Sequence, residues 1–289
     1  MKKSRGEKVF SVFNYLILTS LGIVTLYPFV YVILASFSSP SKLLEIEGLL
    51  WKPVGFTVTA YKTVLRNSNL FSGYANTIFY VVAGTLMNII ATVMAGYVLS
   101  RKNVMFRRPI TLMFIFTMYF SGGMIPSYLL MRDLHLINNR LAVLLPGLVS
   151  TYNLLIMINA LDAVPVSLEE SARIDGASHW KVLWHIILPL AKPTIMVIMM
   201  YYAVAHWNSW YNAMLYIHDE KKMPLQLYLR RILIQARMGE MSGDGAFVDD
   251  VGMTIQYATI IVSTLPILII YPLIQKHFVS GVMIGAVKE

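Results

Sequence analysis

Six long stretches of the chain carry no charged side chain, and this feature most constrains the fold. They lack Asp, Glu, Lys and Arg entirely and cover residues 9–41, 67–100, 109–131, 141–161, 193–218 and 251–275. Each exceeds the roughly 20 residues that a helix needs to cross a hydrocarbon core of about 30 Å. Because a bilayer offers no water to unpaired backbone groups, each stretch predicts a helix. The sequence therefore predicts an all-α integral membrane protein with six transmembrane helices.

The composition excludes several other functions. Only 13% of the residues are charged, against about 25% in ordinary soluble domains. The net charge of +9 lies at the ends of the apolar stretches, which indicates orientation in a membrane and no nucleic-acid partner. Cysteine is absent and the histidines lack ligand spacing, so we expect no metal site. A Gly-rich phosphate loop is also missing, so we expect ATP hydrolysis to take place on another subunit. On that expectation this chain is not an enzyme and binds no cofactor itself.

Basic residues before the first stretch and in the loop 101–108 set the predicted orientation. Such residues favour the cytoplasmic side when they flank membrane helices. The first stretch is too long for a removable signal peptide, whose apolar core has about 7–15 residues. We therefore predict that both termini are cytoplasmic.

Two of the predicted spans contain helix-breaking residues. The third is interrupted at 121–123 and at Pro126, and the fourth at Pro146 and Gly147. Pro removes a backbone donor, and Gly allows close helix contact. Two interpretations stay open: the breaks serve helix packing, or the broken helices line a pathway.

The predicted external loop 219–250 divides into two parts. Residues 223–237 have the spacing of an amphipathic helix at the membrane surface. The part that follows predicts a mobile tip, which is either an unstructured loop or a probe that enters a partner. Its candidate residues are Gly239, Ser242, Gly243, Asp244 and Gly245.

The predicted cytoplasmic loop 163–192 reads as a charged helix–turn–helix. Ser167 and Glu170 have capping-box spacing after Pro165, and Gly176 indicates the end of that first helix. A second helix is predicted from about Ala177, with Pro189 and Pro193 turning the chain into the fifth span. Because the loop exposes charge and aromatic area, we expect it to bind a partner protein.

This loop carries the resemblance to a known family. Glu170–Ser171–Ala172, Gly176 and the Ile–Ile–Leu–Pro run ending at Pro189 resemble the EAA loop of bacterial ABC importer permeases. Ser171 departs from the pattern, where the family often has Ala. From about residue 72 to the end, the chain resembles the carbohydrate-uptake branch, similar to the second permease of the maltose importer. The segments 121–126, 206–210, 224–228 and 278–287 resemble a sub-branch for complex and uronate-containing oligosaccharides.

The resemblance implies a type-I ABC importer permease fold in the bacterial cytoplasmic (inner) membrane. It implies an N-terminal part (1–71), a transmembrane domain (72–275) and a cytoplasmic tail (276–289). The short helix of the loop would be a coupling helix that docks on an ATPase subunit. The implied coupling residues are Glu169, Glu170, Ser171, Ala172, Asp175, Gly176, Leu188 and Pro189.

The resemblance also implies partners. These are a second homologous permease, two ABC ATPase subunits that bind ATP and Mg²⁺, and an extracytoplasmic solute-binding protein contacted by the tip of the loop 219–250. Oligosaccharide is the implied substrate, and membrane lipid surrounds the spans.

Candidate pathway residues are aromatic and amide side chains within the predicted spans. Asn208 and Asn212 would share a helix face, and polar groups in membrane helices usually face protein or a watery cavity. An interfacial aromatic belt explains the aromatic residues equally well, and packing is favoured for Tyr119 and Asn153. The full set is Tyr119, Tyr152, Asn153, Trp207, Asn208, Trp210, Tyr211 and Asn212.

Three other functions were weighed against an oligosaccharide importer. A secondary transporter needs an intramembrane carboxylate or Lys as an ion relay, and none of the six stretches contains one. A membrane enzyme would need clustered carboxylates, which are sparse here. An ABC importer permease for a non-sugar solute is opposed only by the branch resemblance.

Overall fold

The computed structural model describes residues 5–46, 48–242 and 253–269, and these are predominantly helical with no strand among them. They form two compact units, one of residues up to 68 with 229–266, and one of residues 69–228 with the few described after 266. The first four helices are α1 (Arg5–Ser36), α2 (Pro40–Leu44), α3 (Thr59–Arg66) and α4 (Ser68–Ser100). Those that follow are α5 (Arg107–Tyr119), α6 (Met124–Asp133), α7 (Leu141–Leu144), α8 (Thr151–Asp162), α9 (Val166–Ile174), α10 (His179–Val182), α11 (Leu188–Trp207), α12 (Tyr211–Tyr216), α13 (Leu225–Ser242) and α14 (Met253–Ile269).

The first unit is organised around the end of α1. The apolar side chains of α1 are mostly exposed, as expected for a helix whose surroundings are lipid. The chain after α1 folds back on it, because Leu50 N donates to Tyr27 Oη at 2.7 Å and Leu43 packs with Ala35. Tyr31 meets Tyr257 edge to face, with ring centroids 5.9 Å apart.

The second unit is organised around α4. Its contact face repeats every three or four residues and includes small or polar side chains, among them Gly84, Asn88, Thr92 and Gly96. Small residues let neighbouring helices approach closely: a Cβ on Gly96 would lie 2.6 Å from Met157 Cγ of α8. The apolar core beside this face joins α4, α8, α10 and α11.

Both predicted interruptions are present. Helices α5 and α6 meet at 115° across residues 120–123, where Gly123 has φ +86°. The fourth predicted span is split into α7 and α8, and Gly147 between them has φ +84°. Glycine accepts this left-handed backbone without the strain that a Cβ would cause.

The prediction that Pro189 and Pro193 turn the chain into the fifth span is wrong. Helix α10, a π-helical turn at Leu183–Ile187 and α11 form one continuous helix over His179–Trp207. Pro189 lies in the first turn of α11, directly after the wide turn, where a missing backbone donor is tolerated. The fifth span therefore begins earlier than predicted and ends at Trp207.

Three described helices are long and apolar enough to cross a membrane: Gly6–Ser36, Ser68–Ser100 and His179–Trp207. Two bent pairs could each form one more span, α5 with α6 and α8 with α9, the second pair bent by 65°. Helix α14 is shorter. The count of six spans stays a prediction.

Candidate functional site

Helix α9 lies where the sequence predicted the first helix of the loop 163–192. It begins after Pro165, which occupies the N-cap position, and no side chain caps it. The predicted capping box of Ser167 and Glu170 is therefore wrong, because Ser167 already lies inside the first turn. The predicted end at Gly176 is confirmed: Gly176 has φ +78°, and Ala177 N donates back to Ala172 O at 2.9 Å.

Helix α10 follows α9 after a short turn and completes a helical hairpin, which we call the exposed hairpin (166–182). Ser178 caps α10 by accepting from Lys181 N. Ile174 is 86% exposed, Trp180 60% and Trp184, just beyond the hairpin, 62%. Large apolar side chains this exposed at a helical turn indicate contact with a partner or with lipid headgroups.

The structure separates the predicted coupling residues into two groups. Exposed are Glu170, Ser171, Asp175, Gly176 and Pro189, and half-buried are Ala172 and Leu188. Glu169 is buried instead, with only 5% of its side chain accessible. Glu169 thus faces the interior of the protein, away from the exposed residues of the hairpin.

The partner of Glu169 is Arg101, the first residue after α4. Arg101 Nη1 forms an ion pair with Glu169 Oε1, and Arg101 Nη2 donates to Leu161 O at 3.2 Å. Its guanidinium also lies 5.0 Å from the ring centroid of Tyr97. Burial lowers the pKa of Arg101, while Tyr97 and Asp162 oppose that shift. An arginine guanidinium nevertheless stays charged in proteins.

The predicted pathway residues differ widely in their exposure. Trp207 and Asn153 are buried, whereas Tyr119, Tyr152 and Tyr211 are exposed at 78%, 58% and 44%. The remaining residues divide similarly, with Asn208 exposed and Trp210 and Asn212 half-buried.

The predicted shared face of Asn208 and Asn212 is wrong. Helix α11 ends at Trp207, and a break precedes α12, so the two side chains do not lie on one helix. Asn208 Nδ2 instead donates to Val204 O at 3.0 Å and helps to end α11.

A polar stripe on α4 was missed by the sequence analysis. In the N-terminal third of α4, Asn76 Nδ2 donates to Lys221 O at 2.7 Å and Asn76 Oδ1 accepts from Arg140 Nη2 at 2.8 Å. Tyr80 Oη donates to Lys222 O at 2.9 Å. These bonds hold the chain after α12 against α4.

Further along the stripe, Asn88 supports the break in the fourth predicted span. Its Nδ2 donates to Gly147 O at 3.1 Å and to Leu148 O at 2.7 Å. His206 Nε2 donates to Asn88 Oδ1 at 2.6 Å. Non-helical backbone at membrane depth must find such partners within the protein.

Thr92 completes the stripe. Its hydroxyl is 2.8 Å from Tyr202 Oη, which accepts from Ser150 N at 2.9 Å. The spacing of Asn88 and Thr92, four residues apart on one apolar helix, was the available signal for this face. Their partners Tyr202 and His206 lie 110 or more residues further along the chain, and no local pattern specifies them.

The prediction of a loop tip is wrong for two of its five residues. Gly239 and Ser242 belong to α13, which runs five residues beyond the predicted end at residue 237. Glycine inside a helix is tolerated at a cost of about 1 kcal/mol. Gly243, Asp244, Gly245 and the tail 276–289 lie outside the described residues.

These features define a helical membrane protein with an exposed hairpin. Residues 93–284 match the family described as "Binding-protein-dependent transport system inner membrane component", and the chain belongs to this family.

Relatives in this family match over nearly the full length. Protein LplC of Bacillus subtilis (strain 168) is 39% identical over 291 residues, covering 100% of this chain and 98% of LplC. The polygalacturonan/rhamnogalacturonan transport system permease protein YtcP of the same organism is 36% identical over 284 residues, covering 98% and 99%.

A solved structure shares the fold. It is the crystal structure of a bacterial ABC transporter involved in the import of the acidic polysaccharide alginate. The matching chain is 34% identical, with a TM-score of 0.87, over 96% of this chain and 99% of that chain.

The family confirms the resemblance seen in the sequence. The chain is an ABC transporter permease component of the inner membrane and has no enzymatic role of its own, since ATP hydrolysis belongs to partner subunits of such systems.

Proposed function

We propose that this chain is a permease subunit of an importer that moves uronate-containing oligosaccharides across the cytoplasmic membrane. The observation that carries the proposal is full-length similarity to YtcP and to the permease of the alginate transporter. Galacturonan and alginate are both uronate polymers, so the two relatives share the chemistry of their substrates.

Cationic side chains on α13 suit an acidic substrate. Arg230 and Arg231 are both exposed. A cluster of one sign of charge raises the local concentration of an oppositely charged ligand. We infer that this helix attracts the carboxylates of the oligosaccharide, or of the binding protein that delivers it.

The exposed hairpin is the proposed docking site for an ATPase subunit. Glu170 supplies a carboxylate, and Ile174 supplies apolar area that the chain itself leaves uncovered. The complete complex would contain a second homologous permease, two ATPase subunits that hold ATP and Mg²⁺, and a solute-binding protein that contacts the loop 219–250. This chain would need no cofactor.

Co-purification from cells that express the neighbouring subunits tests this assembly. We expect the tagged chain to carry a homologous permease and an ATPase. Gly176→Trp should retain insertion in the membrane but lose the ATPase and uptake, because a bulky side chain at φ +78° distorts the end of α9.

Gly48→Trp is the matched control. Gly48 also has a positive φ, with nothing within 4 Å of a Cβ, but it lies outside the hairpin. Recovery of the wild-type chain alone, or uptake by Gly176→Trp equal to that of Gly48→Trp, would contradict the proposal.

The substrate class is tested with the reconstituted complex and its binding protein. Oligogalacturonate should stimulate ATP hydrolysis, and its fully methyl-esterified form of the same length should stimulate it much less. Equal stimulation by both would show that charge is not recognised.

A further inference from the structure

The Arg101–Glu169 ion pair connects elements that the chain does not join directly. Arg101 follows the last residue of α4, Glu169 belongs to α9, and Leu161 O lies in the last turns of α8. Helices α8, α9 and α10 follow one another in the sequence, whereas α4 is distant in the sequence and is linked to α9 through this contact. One guanidinium therefore joins the hairpin to two helices of the second unit.

The pair is buried more deeply than an ordinary surface ion pair. The accessible fractions are 18% for the Arg101 side chain and 5% for that of Glu169, against 60% and 65% in the Arg132–Asp133 pair. Burial of two charges costs desolvation energy that their attraction often does not exceed. Replacement of a buried ion pair by well-packed apolar residues is often neutral or stabilising.

The surroundings of the pair also carry unpaired polar groups. Arg101 Nε and Tyr97 Oη are buried with no hydrogen-bond partner in the part of the chain that the structure describes. A buried polar group without a partner destabilises the fold, because it has lost its bonds to water. A junction with these costs is not optimised for stability, which favours a role in function.

Glu169 and Glu170 point to different surroundings. Glu170 is exposed on the hairpin, whereas Glu169 is enclosed. The same helical turn thus leaves the carboxylate of Glu170 accessible to a partner, while the carboxylate of Glu169 binds Arg101. Motion that a partner imposes on α9 would be transmitted to Arg101.

We propose that Arg101 and Glu169 are positioning residues that tie the ATPase-docking hairpin to the end of α4, so that α9, α8 and α4 move together during transport. This inference rests on the proposed docking of an ATPase at the hairpin. The covalent connection from the hairpin to α11 passes through the π-helical turn at Leu183–Ile187. π-Helical turns are rare and occur frequently at functional sites. The ion pair supplies a second connection, which runs directly from the hairpin to the end of α4.

The test measures uptake per ATP hydrolysed by the reconstituted complex with its binding protein. The variants are Glu169→Gln, Arg101→Lys and the double variant Arg101→Ala/Glu169→Ala, which leaves no unpaired charge. Asp133→Asn, which breaks the exposed Arg132–Asp133 pair, is the matched control.

We expect the double variant to co-purify with the ATPase and to hydrolyse ATP, while uptake per ATP falls at least tenfold. Arg101→Lys should retain more of the coupling than Glu169→Gln, because it preserves the charge opposite Glu169 but not the guanidinium contact with Leu161 O. Glu169→Gln should resemble the double variant, and Asp133→Asn should resemble the wild type.

Uptake per ATP within twofold of wild type in an assembled double variant would overturn the inference and leave the proposed function intact. Loss of the ATPase from a double variant with an unchanged melting temperature would also overturn it, since the pair would then belong to the docking surface. If the double variant does not fold, equal coupling in Glu169→Gln and Arg101→Lys would overturn it. Absence of an ATPase from the wild-type complex would instead contradict the proposed function.

Discussion

Gly84 shows how a single residue on α4 controls a buried contact. A Cβ at this position would overlap the imidazole of His206, whose Nε2 donates to Asn88 Oδ1. Asn88 is 1% exposed and in turn donates to backbone carbonyls at the break before α8. The absence of a side chain at Gly84 therefore permits a network that supports non-helical backbone.

Gly84→Ala is expected to displace His206 and leave Asn88 Oδ1 without its donor. An unsatisfied buried acceptor costs about 1–3 kcal/mol. The melting temperature of the purified protein in detergent should fall by several degrees. Gly22→Ala is the control, because nothing lies within 4 Å of a Cβ on that α1 residue. Equal melting of both variants would show that the His206 contact contributes nothing.

Residue-level predictions from the sequence succeeded where the local backbone decides the outcome. Gly176 ends α9 as predicted, because the left-handed backbone at a helix C-terminus selects glycine. Ser167 and Glu170 also fit a pattern, the capping box, by their spacing, but the N-cap is Pro165, two residues before Ser167. Which residue takes the N-cap position depends on the incoming chain, and spacing alone does not determine it.

At the scale of elements, the break between α5 and α6 depends on one glycine of a pair. Gly123 has φ +86°, which a residue with a Cβ adopts only with strain, whereas a Cβ on Gly122 would meet only Pro126 Cβ at 3.7 Å. Gly123→Ala should therefore cost about 1–3 kcal/mol and reduce uptake. Gly122→Ala should resemble the wild type in thermal unfolding and in uptake.

These two variants also distinguish the two interpretations of the break. If the break serves packing alone, Gly123→Ala lowers the melting temperature and uptake falls only as far as the amount of folded protein does. If the broken helix lines the pathway, uptake per folded molecule falls as well. An unchanged melting temperature in Gly123→Ala would contradict the strain argument itself.

The elements that the sequence misplaced share a physical cause. Pro189 and Pro193 normally stop helices, yet the wide turn at Leu183–Ile187 shifts the hydrogen-bond register before them and the helix continues. Gly239 is a helix breaker by propensity, yet it lies inside α13. Propensity is a weak signal, and it does not decide the helix bounds in either place.

At the scale of the whole molecule, the class of protein could be predicted because long uncharged stretches have few alternatives. The EAA pattern then identified the family from a few positions of one loop. The polar stripe of α4 and the Arg101–Glu169 pair could not be predicted, since their partners lie 59 or more residues away. Contacts of that range are set by how the helices pack.

The orientation of the whole molecule is the remaining prediction. Both termini and the loop 101–108 should be cytoplasmic, and the loop 219–250 external, because basic residues flanking short loops stay inside.

The chain contains no cysteine, so a single introduced thiol reports its own location. Lys102→Cys and Lys221→Cys place thiols at exposed positions on the two predicted sides. A membrane-impermeant maleimide should label Lys221→Cys in intact spheroplasts, and Lys102→Cys only in inverted vesicles. The reverse pattern would place the exposed hairpin outside the cell, where no ATPase could reach it. Labelling of both thiols in spheroplasts would mean an even number of spans between them, instead of the three predicted.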